Sequence, residues 1–213
     1  MEGDTVNNEY ILGEQVGKGG FSKVFKAYYL PRNSQDNDQA RDNSASQNQK
    51  CDFVIKIADS PEYTFSEEAR IATEVQRNTG VKCYKSGKID SEDGKYDFLV
   101  LDFMKNGDLF HYLSKNELSE SQIRLIFNNL LGCLERLHDS GCSHMDLKLG
   151  NILMNEHNIP LLSDFGMSVK ANKGQMLDGK QYCFSGSRKY LAPEILERQD
   201  FCPFTSDIFS LGV

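Results

Sequence analysis

The chain has 213 residues, of which 39% are hydrophobic and 26% charged, and its formal net charge at pH 7 is −7. This composition is ordinary for a globular protein, and a chain of this length can bury about 70% of the surface that it exposes when unfolded. The negative charge argues against nucleic acid or an anionic membrane as the main partner.

Targeting and redox signals are weak along the whole sequence. It begins with MEGDTVNNEY, which lacks the apolar core of a secretory signal, and no run approaches the ~18 apolar residues of a membrane span. Six cysteines, at positions 51, 83, 133, 142, 183 and 202, show no zinc-type spacing. We therefore expect small buried thiols in a reducing compartment, either the cytoplasm or the nucleus.

The first part of the chain is predicted to be rich in strands. Residues 10–30 alternate apolar and polar side chains with glycines between them, which predicts a β-hairpin. Residues 31–50 are rich in Asn, Gln, Ser and Asp and are predicted to be a disordered insertion between two strands. Further strands are expected over 52–58 and 96–103, with a helix over 65–77 between them.

The later part of the chain is predicted to consist of helices and loops. A helix over 120–138 is expected, with a capping box at Ser119 and Gln122 and with Gly141 beyond its end. One apolar stripe is predicted along it, made of Ile123, Phe127, Leu130, Leu134 and Leu137. Loops and short strands follow, up to a helix near Pro193. The pattern favours two unequal lobes that divide near residues 104–107.

Two short polar motifs place chemically useful side chains close together in the sequence. HMDLKLGN covers residues 144–151, and Asp164-Phe165-Gly166 begins thirteen residues after Asn151. Carboxylates, an amide and an ammonium are the groups needed to hold a polyphosphate, its magnesium ions and an incoming hydroxyl.

Two earlier segments have features of a phosphate site. Glycines 17, 19 and 20 form a turn whose backbone N–H groups can approach phosphate oxygens, although a hairpin without a ligand explains this turn equally well. In the apolar strand Phe53-Val54-Ile55-Lys56, the lysine either points to solvent at an edge or requires a carboxylate partner.

Several motifs, in one order from Val16 to Gly212, resemble those of eukaryotic protein kinases of the serine/threonine type. The glycine-rich pattern is matched at Gly17, Gly19 and Val24, with Ser22 in place of the third glycine. Phe53–Lys56 resembles the kinase lysine strand, and residues 144–151 and 164–166 resemble the catalytic loop and the DFG motif. Residues 192–194 read APE, and Asp207 to Gly212 resembles DxWxxG with Phe209 for tryptophan. Lysine two residues after Asp146 is the serine/threonine variant.

This resemblance implies an α+β fold with two lobes in a single protein kinase domain over residues 1–213. The first lobe, about 10–103, would hold a five-stranded antiparallel sheet with one helix. A hinge, about 102–107, would lead to an incomplete, mainly helical second lobe over 108–213. The implied function is ATP- and Mg²⁺-dependent phosphorylation of Ser or Thr on protein substrates, by a monomer.

The resemblance also assigns roles to individual residues. Asp146 and Lys148 would be catalytic, Asn151 and Asp164 would hold magnesium, and Asp207 would bond the backbone around His144. Glu68 would pair with Lys56, with Glu74 as the alternative. The residues implied in nucleotide binding are Val16, Gly17, Lys18, Gly19, Val24, Val54, Lys56, Glu68, Asp102, Met104, Asp108 and Leu153.

Three departures from the family pattern change the expectations. Met145 replaces the usual arginine and Cys183 stands at the common phosphothreonine position, so we expect an activation loop that is ordered without phosphorylation there. Tyr182, Ser185 and Ser187 remain candidate phosphorylation sites. Gly150 replaces a glutamate of many basophilic kinases, which predicts a weaker preference for substrate arginine.

The third departure concerns the end of the sequence. Val213 is expected to lie in the first turn of the central helix of the second lobe. We therefore expect a fragment or a shortened gene product in which the 120–138 helix lacks packing partners. The rival interpretation is a pseudokinase or an ATP-binding interaction module, inactive because of truncation. A small-molecule kinase is less favoured because of the APE segment.

Overall fold

The computed structural model describes residues 2–30, 51–75, 79–182 and 187–213. The contacts divide the chain into two compact units, Met1–Phe65 with Cys83–Phe103 and Ser66–Lys82 with Met104–Val213. Several predictions made from the sequence lie outside the described residues: the disordered insertion 31–50, the helix end at Arg77, and the states of Cys183 and Ser185.

The first unit contains an antiparallel sheet of six strands in the order β1-β2-β3-β4-β6-β5. The strands are β1 (Thr5–Val6), β2 (Tyr10–Lys18), β3 (Ser22–Tyr29), β4 (Phe53–Ala58), β5 (Cys83–Ser91) and β6 (Gly94–Asp102). The predicted hairpin and both later strands are confirmed.

The sheet has one strand more than the five expected, because β1 pairs with β2 through a tight turn. Asn7 and Asn8 form this turn with φ values of 52° and 54°, a left-handed conformation that asparagine tolerates. A strand of two residues is too short to show any alternation, so the sequence pattern could not reveal it.

The core of the first unit lies on one face of the sheet. Ile55, Phe98 and Val100 are fully buried there and pack with Phe25 and Leu12. Because successive side chains of a strand point to opposite faces, Val54 and Lys56 lie on the other face. The strand that supplies the core therefore also presents a lysine on the opposite side of the sheet.

A buried carboxylate fixes the connection between β4 and the first helix. The Asp97 side chain on β6 accepts from the backbone N–H of Phe65 at 3.0 Å and from the Thr64 hydroxyl at 2.8 Å, and it pairs with Lys88 at 3.1 Å. Burial alone would raise the pKa of the Asp97 carboxyl, but these three partners together lower it.

The second unit holds α1 (Ser66–Glu74), α2 (Leu109–Lys115), α3 (Glu120–Asp139), α4 (Pro193–Leu196) and α5 (Pro203–Gly212). Its short strand pairs are β7 (Cys142–Ser143) with β10 (Val169–Lys170) and β8 (Ile152–Met154) with β9 (Pro160–Leu162). Prediction had placed α1 with the strand-rich lobe. It groups with the second unit because the segment after it is bonded to β9, where Val81 N–H donates to Leu162 and Leu162 N–H to Thr79.

Helix α3 confirms the predicted capping box but corrects the predicted apolar stripe. The Ser119 hydroxyl accepts from the Gln122 backbone, while the Gln122 side chain accepts from the Ser119 N–H. Ile123 and Phe127 are 51% and 43% exposed. The buried stripe instead begins one turn later and consists of Ile126, Leu130, Cys133, Leu134 and Leu137.

The first half of α3 borders an apolar cavity of about 200 Å³ within the second unit, lined also by Leu113, Leu147 and Leu211.

The prediction for the last helix is wrong: α5 begins at Pro203 and runs for ten residues, not one turn. Proline is favoured at the first helical position, and Ser206 N–H already bonds the Cys202 carbonyl.

Among the described residues, no helix is both long enough and apolar enough to cross a membrane.

The prediction of buried thiols holds for Cys83, Cys133 and Cys142, while Cys51 and Cys202 are half-buried. Burial, with the Asp207 carboxylate nearby, raises the pKa of the Cys142 thiol to about 11. This thiol is therefore a poor nucleophile at neutral pH.

The first prediction concerns Asp97. We expect Asp97→Asn to lower the free energy of unfolding by about 1–3 kcal/mol at neutral pH, because buried donors lose their charged acceptor. Since the pKa of Asp97 is lowered on folding, its contribution is present above the usual value of 3.8 and is lost as the pH falls through the folded value. Urea unfolding at pH 7 and near pH 3 measures both effects. The exposed Asp90→Asn is the control, and an equal loss in the two variants would contradict the prediction.

Candidate active site

The catalytic-loop residues predicted from the sequence form a hydrogen-bonded cluster in the second unit. Lys148 Nζ lies 2.6 Å from Asp146 Oδ2, and Asn151 Nδ2 donates to the same oxygen at 2.8 Å. Asn151 Nδ2 also donates to the Asp146 backbone carbonyl at 2.9 Å. Both donors contact Oδ2, so Oδ1 is the oxygen of Asp146 that is left to accept a hydroxyl proton.

A buried carboxylate on α5 holds the backbone of this loop. Asp207 is 1% exposed, and its Oδ2 accepts from the Ser143 hydroxyl at 2.7 Å and from the His144 N–H at 2.7 Å. Its Oδ1 accepts from the Met145 N–H at 2.8 Å. The predicted bonds between Asp207 and the backbone around His144 are confirmed.

Sequence reasoning missed a second support for this carboxylate. His138, near the end of α3, has Nε2 2.9 Å from Asp207 Oδ2, and its ring packs edge-on against Phe204. The pattern predicted only that this stretch was helical. A polar residue at the buried end of an apolar stripe was the available signal.

The DFG segment is tied to the catalytic loop through the residue before it. Ser163 donates from both its N–H and its hydroxyl to the Asn151 carbonyl, each at 2.9 Å. Its own carbonyl lies 2.9 Å from His144 Nε2. Asp164 follows with φ at 60°, in the left-handed region, and the buried Phe165 ring contacts the His144 ring. Because Ser163 is bonded to Asn151, the fold brings the adjacent residue, Asp164, close to Asn151.

Met145 occupies the position of the usual arginine and is 4% exposed. Its φ of 67° is left-handed, a conformation that costs about 1–3 kcal/mol outside glycine and requires external support. Its side chain belongs to an apolar cluster with Ala192, Ile195 and Phe201, against which Leu177 and Tyr182 pack. The activation segment runs from the DFG motif at 164–166 to the APE motif at 192–194. Its described parts are therefore joined to the catalytic loop by apolar contacts.

The predicted nucleotide-contacting residues are divided between the two units. The first unit carries Val16, Gly17, Lys18, Gly19, Val24, Val54, Lys56 and Asp102, and the second carries Glu68, Met104, Asp108 and Leu153. In the first unit, Gly17 is paired with Val24, and Val24 is paired with Lys56 on the next strand. Paired residues share a face, so the base of the glycine turn, Val24 and the lysine lie side by side.

In the second unit, Asp108 and Leu153 are brought together by a β-bridge. Asp108 also caps α2: its Oδ1 accepts from the His111 N–H at 2.8 Å, and its Oδ2 lies 2.7 Å from His111 Nδ1. Both carboxylate oxygens are thus engaged locally, and contact of Asp108 with the nucleotide stays a prediction. Met104 is buried and its carbonyl accepts from the Gly107 N–H.

The predicted lysine–glutamate pair lies across the two units and also stays a prediction. Glu68 on α1 is 5% exposed, and a carboxylate so deeply buried requires a charged or hydrogen-bonding partner. The alternative residue, Glu74, is bonded within its own unit by Lys170 at 2.6 Å and by Arg70 at 3.2 Å. The bond from Lys170, with a smaller one from Arg70, lowers the pKa of Glu74. These bonds favour Glu68 over Glu74.

The donor set around Asn151 and Asp164 suits magnesium. Because the Asn151 amide nitrogen is committed to Asp146, its oxygen is the atom left for a ligand, and carboxylate and amide oxygens are ligands that Mg²⁺ accepts. Within the described ranges, no group of three or more His, Cys, Asp or Glu side chains could hold a metal. A site with few protein ligands is typical where substrate phosphates complete the magnesium shell.

Comparison with known proteins agrees with this geometry. The chain belongs to the protein kinase domain family, whose sequence model matches residues 10–213.

Individual relatives are similar over nearly the whole chain. CBL-interacting protein kinase 28 of Oryza sativa subsp. japonica is 28% identical over 219 residues, which cover 100% of this chain and 45% of the relative. CBL-interacting serine/threonine-protein kinase 19 of Arabidopsis thaliana is 29% identical, covering 96% and 39%. Testis-specific serine/threonine-protein kinase 1 of Mus musculus is 29% identical, covering 96% and 53%. The chain thus spans roughly two fifths to one half of the length of these relatives.

The second prediction concerns the support of the loop. We expect Asp207→Ala to lower the free energy of unfolding by at least about 2 kcal/mol, since two buried N–H groups and a hydroxyl lose their acceptor. Urea unfolding followed by circular dichroism measures this loss. The control is Asp200→Ala, at an exposed position where a change within about 0.5 kcal/mol is expected. Equal stability of the two variants would show that Asp207 does not support the loop.

Proposed function

We propose that this chain transfers the terminal phosphoryl group of ATP to serine or threonine hydroxyls of protein substrates in a magnesium-dependent reaction. The observation that carries the proposal is the Asp146–Lys148–Asn151 cluster on a loop fixed by Asp207. Family membership and the names of the serine/threonine kinases among the relatives support it.

In this reaction, each residue of the cluster has a distinct task. Asp146 Oδ1 accepts the proton of the substrate hydroxyl, while Lys148 and Asn151 hold Oδ2 and so fix the orientation of the carboxylate. The Lys148 ammonium, 2.6 Å from Asp146, is placed to stabilise negative charge on the phosphoryl group in transfer. Most of the catalysis is therefore positioning and charge neutralisation.

Asn151 and Asp164 are the residues that would hold magnesium. When bound, magnesium neutralises charge on the phosphates and fixes their orientation. The two hydrogen bonds that Ser163 donates to the Asn151 carbonyl keep the segment that carries Asp164 next to Asn151. Lys56, on the face of the sheet that also carries Val24 and Val54, would contact the phosphates.

We further propose that the activation segment is ordered without a phosphate at position 183. In kinases that keep the arginine, its charge has to be neutralised by a phosphorylated residue. In this chain Met145 stands in place of that arginine. It is held by apolar contacts with Ile195 and Phe201, and these contacts form without phosphorylation.

The enzyme is proposed to act as a monomer in the cytoplasm.

The alternative is a nucleotide-binding interaction module that uses this fold without phosphoryl transfer. Radiolabel transfer from ATP to casein or myelin basic protein, beside a thermal shift with ATP and magnesium, separates the two functions. Transfer supports the kinase proposal. A thermal shift without transfer supports the interaction module, and the absence of both contradicts nucleotide binding altogether.

The third prediction tests the catalytic carboxylate. We expect Asp146→Asn to lower the rate of phosphoryl transfer by about 10²- to 10⁴-fold, because the amide cannot accept the hydroxyl proton. The size of the side chain is kept, so the melting temperature should change little. Asp200→Asn is the matched control and should keep the wild-type rate. Near-wild-type turnover of Asp146→Asn would contradict the role of Asp146.

The fourth prediction tests the metal ligand. A ligand present at 100 times its dissociation constant stabilises a protein by about 2.7 kcal/mol, so ATP with magnesium should raise the melting temperature of the wild type. We expect Asp164→Ala to abolish the part of this shift that EDTA removes. Asp200→Ala should keep it. A magnesium-dependent shift that survives in Asp164→Ala would show that Asp164 is not a ligand.

A further inference from the structure

A series of aromatic contacts in the first unit links the glycine-rich turn to the lysine of β4. The rings of Phe21 and Tyr63 are stacked, with centroids 5.1 Å apart and planes at 5°. Tyr63 meets Phe65 edge-on at 5.5 Å. Lys56 Nζ lies over the Phe65 ring, 5.2 Å from its centroid. We call these three rings the aromatic series.

The backbone follows the same route. Phe21 belongs to the turn between β2 and β3, and its carbonyl accepts from the Asp59 N–H at 2.9 Å. The carboxylate of Asp59 pairs with Lys23 at 3.5 Å, just beyond the turn. The segment 59–65, which connects β4 to α1, therefore lies against the glycine-rich turn through one backbone bond, one ion pair and one ring stack.

This connecting segment is itself held in place. At its start, Ser60 forms a turn in which its carbonyl accepts from the Tyr63 N–H and its hydroxyl from the Glu62 N–H, both at 3.2 Å. At its end, the buried Asp97 carboxylate binds Thr64 and the N–H of Phe65. Phe65 is 2% exposed, whereas Phe21 is 55% exposed. The fixed partner of the stack is therefore the connecting segment, and the turn is the part that gains order.

A turn with glycines at 17, 19 and 20 has unusually large conformational freedom, which must be lost when it encloses a phosphate. A stacked ring at position 21 reduces that freedom before any ligand arrives, and preorganisation of this kind improves affinity. At the other end of the aromatic series, the Phe65 ring attracts the Lys56 ammonium and restricts its orientation.

We propose that Tyr63 is a positioning residue that fixes both the glycine-rich turn and Lys56 for nucleotide binding. Tyr63 touches Phe21 on one side and Phe65 on the other, so it couples the two elements. Tyr63 orders the turn in the free protein, without any nucleotide. The effect of that order on ATP binding rests on the proposed function.

The first experiment needs no nucleotide. The sequence contains no tryptophan, so Phe21→Trp introduces a single indole at the tip of the turn. We expect limited quenching of its fluorescence by acrylamide while Tyr63 is present. Adding Tyr63→Leu should raise the quenching constant about twofold or more, whereas Tyr63→Phe should leave it unchanged because the ring is kept. Tyr29→Leu, which removes a half-exposed ring at the far end of β3, is the control.

The second experiment measures the consequence for ATP in the chain with Phe21 intact. We expect Tyr63→Leu to raise the KM for ATP about 3- to 10-fold with little change in kcat, and Tyr63→Phe to restore the wild-type value. A general loss of structure in Tyr63→Leu would lower kcat as well, and that outcome would contradict a positioning role.

The outcomes decide between the claims. Equal quenching with and without the Tyr63 ring overturns the proposal, as does a changed quenching with an unchanged KM. If the wild-type chain binds no ATP, the proposed function fails, and the quenching experiment alone then decides whether Tyr63 orders the turn.

Discussion

The carboxylate of Asp207 holds in place the segment on which the rest of the site depends. Residues 143–145 lack the regular ladder of a helix or a long strand, and buried backbone N–H groups must still find acceptors. Asp207 supplies both oxygens to them and also accepts from the Ser143 hydroxyl. Asp146, the next residue, is thereby placed with little freedom, as its proposed role as proton acceptor requires.

The same support explains how Met145 can keep a left-handed backbone. A β-carbon in that conformation is strained, and the bond from its N–H to Asp207 offsets part of the cost. The Met145 side chain then packs against the apolar side chains of Ala192, Ile195 and Phe201. A charged arginine at that position would need a counter-charge, whereas a thioether needs only close packing. Apolar packing therefore occupies the place where the family's arginine would introduce a charge.

In both units a buried aspartate holds a loop in place. In the second unit Asp207 binds the catalytic loop, and in the first unit Asp97 binds the connection that carries the aromatic series. In each case the carboxylate accepts from backbone N–H groups, which are charge-assisted bonds of greater strength than neutral ones. Rigid elements, α5 and β6, hold the carboxylates, so the precision of the loops derives from regular structure.

Local periodicity and capping were enough to predict the hairpin and the capped helix α3 from the sequence by itself. The α+β class and the candidate site residues were predicted from the resemblance of short motifs to those of protein kinases. Leu130, Leu134 and Leu137 of the predicted α3 stripe are buried, but only the tertiary structure showed that Ile123 and Phe127 are exposed. It also decided where α5 begins and that α1 groups with the second unit. It also revealed the bond between His138 and Asp207 and the stacking of Phe21 on Tyr63. These contacts join residues 69 and 42 positions apart in sequence, and no local pattern encodes the distance between side chains that only the folded chain brings together.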